Sequence, residues 1–270
     1  KASQANRTTR PVEQNAHEPP AEPHVFLASD VHLGVPNAEA SRSRERRLIS
    51  WLEEVVAPQA TELILLGDLF DFWFEYRHVV PKGHVRILGK LAELCDRGLA
   101  ITLFTGNHDL WLNDYLEQEL GVKIQRGPWR REWFGQSYFL AHGDGLGPGD
   151  HGFKMMKRVF LNPLAQWAFR WLHPDLGVGL ANWASRKSRS AHVEQDAVDL
   201  GEQEYLYQFV QNEIKQGSAA DVYIFGHRHL PKDINLAPNV RLINLGDWIS
   251  HYTYLEICNR QASLRTYDAQ

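Results

Sequence analysis

Short apolar runs recur along the chain, and each run ends in polar residues or in a glycine. These runs occupy residues 24–29, 62–66, 99–105, 138–141, 222–225 and 240–245. Continuous apolar runs of this length are typical of strands that are buried on both faces. We therefore predict a sheet whose strands lie in the interior of the molecule.

In the segments that separate the first three of these runs, apolar residues recur at the spacing of a helix. One stripe consists of Leu48, Leu52, Val55 and Val56, and a second consists of His84, Leu88, Leu91 and Cys95. Strands that alternate with helices favour right-handed crossover units, with the helices outside the sheet. Near the C-terminus, residues 252–257 and 263–267 alternate and predict an antiparallel pair. The pattern as a whole predicts an α/β protein with a mixed sheet.

Two segments do not show this alternation of predicted strands and helices. Residues 1–23 are polar and rich in proline, and we expect them to form a disordered lead-in. Residues 153–215 are helical in composition and contain no clear strand. We interpret this range as a helical cap that is inserted into one domain running from residue 24 to residue 270.

The amino-acid composition excludes several classes of protein. A hydrophobic content of 43% allows one large core, and the net charge of −4 gives no basic field for nucleic acid. No apolar run reaches the roughly 18 residues that a membrane span needs, and no signal peptide is evident. Two cysteines, Cys95 and Cys258, read as buried thiols in a reducing compartment. These features predict a cytoplasmic protein.

Arginines crowd the start of the first helical stripe, at positions 42, 44, 46 and 47. A charge run of this kind is typical of a solvated helix face. Together with Lys187 and Arg189, these arginines would also suit peripheral contact with an anionic surface such as the inner membrane.

Polar motifs follow five of the apolar runs. In chain order they are Asp30-Val31-His32, Gly67-Asp68, Gly106-Asn107-His108-Asp109, His142-Gly143-Asp144 and Gly226-His227-Arg228-His229. In an open α/β sheet, ligands bind beyond the carboxyl ends of the strands, where these motifs would meet. Carboxylate, imidazole and carboxamide groups together suit a divalent ion such as Mn, Fe or Zn. One Gly-Asp pair is usually only a turn, but the five motifs in this order predict a metal centre.

The ordered set resembles the calcineurin-like metallophosphoesterases over residues 24–268. The resemblance implies a four-layered αββα sandwich that holds two divalent ions, with manganese preferred to iron or zinc. It assigns the first ion to Asp30, His32, Asp68 and His229, and the second to Asp68, Asn107, His142 and His227. Two such ions activate a water and clamp an in-line displacement at phosphorus. His108 would donate a proton to the leaving oxygen or stabilise its charge, and we expect Asp109 to orient the His108 ring.

The flanks of the motifs are similar to a narrower family, the UDP-2,3-diacylglucosamine pyrophosphohydrolases, at residues 30–34, 67–73 and 142–150. That family cleaves a UDP-linked acylated glucosamine to UMP and a lipid monophosphate during lipid A biosynthesis. Its helical cap carries a basic segment for the phosphosugar and an apolar chamber for the acyl chains. The resemblance assigns the basic segment to Ser185, Arg186, Lys187, Ser188 and Arg189. It assigns the apolar lining to Phe153, Met155, Met156, Phe160, Leu164, Trp167 and Trp171.

Several roles remain open at this point. Asp144 and Asp150 are predicted to orient His142 or to contact substrate hydroxyls, whereas Asp71 and Glu75 are interpreted as parts of a solvated loop. The narrower family carries arginine after its metal-binding asparagine, where this chain has His108. One alternative is therefore a hydrolase of the same fold that acts on another phosphodiester, nucleotide sugar or monoester. The other is a non-catalytic metal-binding scaffold, which would have no need to retain a complete ligand set.

Overall fold

Apolar strands that are buried on both faces require a layer on each side, and the computed structural model of the protein supplies these layers. It describes residues 22–149, 151–181, 183, 185 and 199–268. The first sheet has the spatial order β11 (Gln261–Thr266), β10 (Thr253–Cys258), β1 (Val25–Ala28), β2 (Glu62–Leu65), β3 (Ala100–Phe104) and β4 (Lys123–Gln125). The second has the order β5 (Trp129–Trp133), β6 (Gln136–Ala141), β7 (Val222–Phe225), β9 (Val240–Asn244) and β8 (Lys232–Ala237).

Both sheets are mixed. In the first sheet β1 to β4 run parallel, and β10 pairs antiparallel with β1 and with β11. In the second sheet β6, β7 and β9 run parallel, while β5 and β8 pair antiparallel at the two edges. The predicted strands are confirmed, but β4, β5 and β8 were not predicted. β4 has only three residues, and the two edge strands alternate exposed with partly buried positions along most of their length.

Helices cover the outer face of each sheet. Those on the first sheet are α1 (Ala38–Trp51), which continues as a π-helical turn (Leu52–Val56), α2 (Val85–Asp96) and α3 (Tyr115–Leu120). The Asn37 side chain accepts hydrogen bonds from the backbone N–H groups of Glu39 and Ala40, which fixes the start of α1. The second sheet is covered by α7 (Tyr205–Gln216), which ends at Gly217 with a left-handed φ of 70°.

Side chains of each central strand alternate between two cores. Leu27 and Ile64 face the second sheet and contact its apolar side chains, which include Leu140 and Ile224. Phe26 instead packs under the helices of the first sheet. On the far side, strand residues of the second sheet pack against α7. This arrangement confirms the predicted four-layered αββα sandwich.

The chain between β6 and β7 carries three further helices before α7. They are α4 (His151–Phe160), α5 (Pro163–Arg170) and α6, which covers residues 174–181. Phe160 and Phe169 of these helices pack against Phe74 and Trp111 of the core. We use the name cap for α4 to α6 and assign α7 to the fourth layer, although the predicted cap range extended to residue 215. The assignment follows because Leu206 of α7 is buried against the second sheet.

The predictions of a disordered lead-in and of no membrane span can each be compared with the described residues. The lead-in predicted at residues 1–23 falls almost wholly outside them. Within the described part of the chain, none of the helices has the length and the hydropathy that a bilayer crossing requires.

We expect the core between the sheets to dominate stability. Leu27 is fully buried, so Leu27→Ala removes apolar contacts and leaves a cavity. The free energy of unfolding should fall by about 2–5 kcal/mol in a urea titration monitored by circular dichroism. The control is Val85→Ala, because Val85 is 79% exposed. An equal loss for both variants would contradict this account of the core.

Candidate metal centre

The predicted ligands follow their strands through sharp turns. Asp30, His32, Asp68, His227 and His229 have φ values of 56°, 49°, 53°, 68° and 54°. This left-handed region is uncommon for residues other than glycine. Such strained backbones cluster at functional sites, where the surroundings fix them. We therefore interpret the strained turns at the carboxyl ends of β1, β2 and β7 as a means of positioning the predicted ligands.

One group of three side chains joins the first sheet to the second. The Nε2 atom of His229 lies 3.3 Å from Asp30 Oδ1 and 3.1 Å from the Nε2 atom of His32. The other oxygen of Asp30 accepts a hydrogen bond of 2.8 Å from the backbone N–H of His227. Asp30, His32 and His229 therefore form a cluster whose donor atoms are close enough to share one metal ion.

A second group lies beside the first. It contains Asp68, His142 and His227. The Nε2 atom of His142 is 3.3 Å from Asp68 Oδ2 and 3.1 Å from the side-chain oxygen of Asn107. His32 approaches the same Asp68 oxygen to 3.7 Å. Asp68 Oδ2 is thus the atom common to both groups, as expected of a bridging ligand.

The donor set fits two divalent cations. Asp30 Oδ1 and Asp68 Oδ2 are buried and accept no hydrogen bond from any described residue. A buried carboxylate oxygen without a partner is costly, and a metal ion would satisfy it. Burial raises the pKa of Asp30 and of Asp68, but the surrounding histidines outweigh burial and hold both pKa values well below their usual range. Both carboxylates are therefore anionic and available as ligands.

His142 is held in one orientation by the end of β2. Its Nδ1 atom lies 2.8 Å from the carbonyl oxygen of Leu66, which can only accept a hydrogen bond. Nδ1 therefore carries the hydrogen, and Nε2 is left to face Asp68 and Asn107 as a ligand.

Asp109 has a different role from the one predicted. Its carboxylate accepts backbone hydrogen bonds of 2.7 Å from Gly106 and 2.9 Å from Leu69, so it ties the loop after β3 to the loop after β2. Burial and the charge of Asp68 raise the pKa of Asp109 to about 7. The prediction that Asp109 orients His108 is wrong, because the turn after β3 points the two side chains to different partners.

His108 is oriented by Asp71 and by the cap. The Nδ1 atom of His108 lies 3.0 Å from the main-chain oxygen of Asp71 and 3.1 Å from the hydroxyl of Ser185. Burial lowers the pKa of His108 to about 4, and a phosphate anion beside the ring would raise this pKa again. Since Asp71 is only 2% exposed, its interpretation as part of a solvated loop is wrong.

The same correction applies to Glu75, which is 5% exposed. Its carboxylate accepts backbone hydrogen bonds from Asn113, Asp114 and Tyr115 at the start of α3. Negative charge at this position is favoured by the helix dipole.

Arg44 was also assigned to a solvated face, and this too is wrong. Its guanidinium is buried and donates hydrogen bonds of 2.9 and 2.7 Å to the carbonyl oxygens of Val31 and His32. The signal was present in the sequence, since Arg44 precedes Leu48 by four residues and so shares its buried stripe. Arg44 therefore fixes the loop that carries two of the ligands.

The structure describes only some of the residues that were predicted to contact the substrate. The Asp144 carboxylate forms an ion pair of 2.5 Å with Lys157 of α4, which connects the cap to the loop after β6. Ser185 contacts His108 as given above. Asp150, Arg186, Lys187, Ser188 and Arg189 lie outside the described residues, so their roles remain predictions.

Comparison with known proteins agrees with this geometry. The family model of the calcineurin-like phosphoesterases matches residues 23–231. The chain belongs to the calcineurin-like phosphoesterase family. As in that family, it is a metal-dependent hydrolase with a binuclear site for divalent ions.

Two relatives that match most of the chain carry the same name. A UDP-2,3-diacylglucosamine hydrolase of Porphyromonas gingivalis is 40% identical over 243 residues, covering 85% of this chain and 92% of that protein. A protein of the same name from Ectopseudomonas mendocina is 30% identical over 230 residues, covering 83% of this chain and 90% of that protein. The similarity spans nearly the full length of both relatives.

We expect Arg44 to act on the metal centre through the loop that it holds. Arg44→Met keeps much of the side-chain volume but removes both hydrogen bonds, so the affinity for Mn²⁺ should fall by about 10- to 100-fold. Equilibrium dialysis with Mn²⁺ measures this, and Arg42→Met is the control because Arg42 is exposed on the same helix. Equal affinities of Arg44→Met and the wild type would show that the loop does not need Arg44.

Proposed function

We propose that the protein hydrolyses the pyrophosphate of a UDP-linked 2,3-diacylglucosamine, releasing UMP and a lipid monophosphate. The observation that carries the proposal is the exposed apolar surface of the cap, whose Ser185 contacts His108. Trp171 is 76% exposed, Leu164 75% and Trp167 60%. A phosphoesterase that acts on a small polar ester has no need of such an apolar surface on its cap.

Within the described residues, the cap contacts the site in two places. One is the Ser185 hydroxyl at the His108 ring, and the other is the ion pair between Lys157 and Asp144. A substrate whose phosphates lie at the metals therefore has its acyl chains within reach of the cap. The relatives named UDP-2,3-diacylglucosamine hydrolase support the same substrate.

The apolar surface also supports peripheral contact with the membrane that holds such a lipid. Arg170 lies on α5 with Trp167, and Lys154 and Arg158 lie on the neighbouring helix α4. Tryptophan and basic side chains together suit the boundary between headgroups and acyl chains. We propose that the protein acts in the cytoplasm, at the surface of the inner membrane.

At the metal centre, each group of side chains has a separate task. Two divalent ions, which we propose to be manganese, would supply an activated water and neutralise charge at phosphorus. Asp30, Asp68, Asn107 and the surrounding histidines would hold these ions. His108 offers Nε2 to a phosphate oxygen, because its Nδ1 is engaged with Asp71 and Ser185. The Asp71 carboxylate, 3.6 Å from Nδ1, stabilises the protonated ring that transfers a proton or binds the developing charge.

The substrate assignment is tested by comparing two phosphoesters in Mn²⁺. We expect release of UMP from UDP-2,3-diacylglucosamine with a kcat/KM far above that for bis-p-nitrophenyl phosphate, detected by mass spectrometry of the products. Trp167→Ser and Trp171→Ser together should raise KM for the lipid substrate only, because the small diester has no acyl chains to contact these tryptophans. Hydrolysis of the simple diester alone would refute the assignment.

We expect His108 to serve turnover and not metal binding. His108→Ala should lower kcat by roughly 10²- to 10⁴-fold, as expected for loss of a proton donor, and should still bind two Mn²⁺. The control is His78→Ala, because His78 is exposed. Unchanged turnover in His108→Ala would remove this role, and loss of both ions would make His108 a structural residue.

A further inference from the structure

A second cluster of metal-ligating side chains lies on the outer face of the first sheet. It consists of His24, Glu256 and Cys258. Val25 pairs with Ile257 in the antiparallel register of β1 and β10, which puts His24 opposite Cys258. Glu256 precedes Cys258 by two residues and so points to the same face of the sheet. The backbone register therefore brings an imidazole, a carboxylate and a thiol together.

The distances within this cluster suit a single ion. The Nε2 atom of His24 lies 2.8 Å from Glu256 Oε1, and the Cys258 sulfur lies 3.9 Å from the same oxygen. Zinc binds nitrogen, oxygen and sulfur at about 2.0–2.3 Å, so its ligand atoms in a tetrahedral site are roughly 3–4 Å apart. The three donor atoms are already near this spacing.

The second oxygen of Glu256 is engaged elsewhere. Arg265 on the neighbouring strand binds Glu256 Oε2 at 2.6 Å. This ion pair leaves Oε1 directed at His24 and Cys258 and holds the carboxylate in one orientation. A partner behind a ligand, in the position that Arg265 occupies, is typical of metal sites in proteins.

The cluster is remote from the catalytic centre. His24 precedes β1 and Asp30 follows it, and six residues of extended chain span about 20 Å. The catalytic ligands are oxygen and nitrogen donors only, whereas this cluster contains a sulfur donor. Thiolate and imidazole together favour zinc over the harder manganese ion. The two sites therefore differ in position and in preferred metal.

We propose that His24, Glu256 and Cys258 form a third metal site that binds one zinc ion per chain. The bound ion connects the start of β1 to β10 and leaves a coordination position for water. The Cys258 thiol loses its proton on binding, and burial together with Glu256 raises the pKa of the free thiol. Cys95 and Cys258 are both only partly buried, so the interpretation of these two residues as buried thiols is wrong.

Cobalt is the probe that separates this site from the catalytic pair. Co²⁺ replaces zinc, and its bond to a thiolate gives a charge-transfer absorption that nitrogen and oxygen ligands do not give. The whole chain is first loaded with Mn²⁺ and is then titrated with Co²⁺. We expect the thiolate absorption to appear and to saturate at one Co²⁺ per chain. Zinc added afterwards should abolish the absorption by displacing the cobalt.

Three variants identify the ligands. Cys258→Ser should lose the absorption, whereas Cys95→Ser should keep it, because Cys95 lies on α2. In His24→Ala the midpoint of the Co²⁺ titration should rise by about tenfold or more. Phosphoesterase activity of Cys258→Ser in saturating Mn²⁺ should match the wild type, so failure of this site is distinguishable from failure of the proposed function.

The opposite results would overturn the proposal. No thiolate absorption in the wild type would mean that Cys258 binds no metal. Absorption that persists in Cys258→Ser would assign the signal to Cys95. An unchanged midpoint in His24→Ala would exclude His24 as a ligand and leave no three-residue site.

Discussion

The structure depends on the burial of two carboxylates, those of Asp30 and Asp68. They lie beyond the carboxyl ends of β1 and β2, where the first sheet contacts residues of the second. Each has an oxygen that accepts no hydrogen bond from the described residues, and each faces imidazole nitrogens. Taking such charges out of water costs several kcal/mol per ion unless they are paired. Divalent cations supply the missing partner, so the fold around these oxygens is organised as a metal site.

The neighbouring structure holds these two residues against their own strain. Asp30 and Asp68 have left-handed backbones, which are unfavourable outside glycine. Asp109 ties the loop of Asp68 to the loop after β3, and Arg44 holds the carbonyl oxygens that follow Asp30. Only glycine fits at position 226, because a Cβ atom there would collide with Ser29 and Asp30. Buried polar contacts thus place the ligands before any ion binds.

Much of the fold could be predicted because its central strands are buried on both faces and leave long apolar runs. Edge strand β8 could not, since half of it faces solvent and its pattern resembles a loop. The clustering of the candidate metal ligands could be predicted because these residues follow predicted strand ends. Asp109 could not be assigned correctly, because the direction of a side chain after a turn depends on distant partners. The burial of Arg44 could have been predicted from its position four residues before Leu48, but its hydrogen-bond partners could not. Asp71 lies in a run with Phe70 and Phe72, and this apolar context was an unused signal of its burial.

The central claim is that one carboxylate, Asp68, joins two metal ions. Diffraction from Mn²⁺-loaded crystals, measured at the manganese absorption edge, tests this claim most directly. The account predicts two anomalous peaks about 3.5–4 Å apart, with an oxygen of Asp68 bound to both ions. A single peak, or two peaks of which only one contacts Asp68, would contradict it.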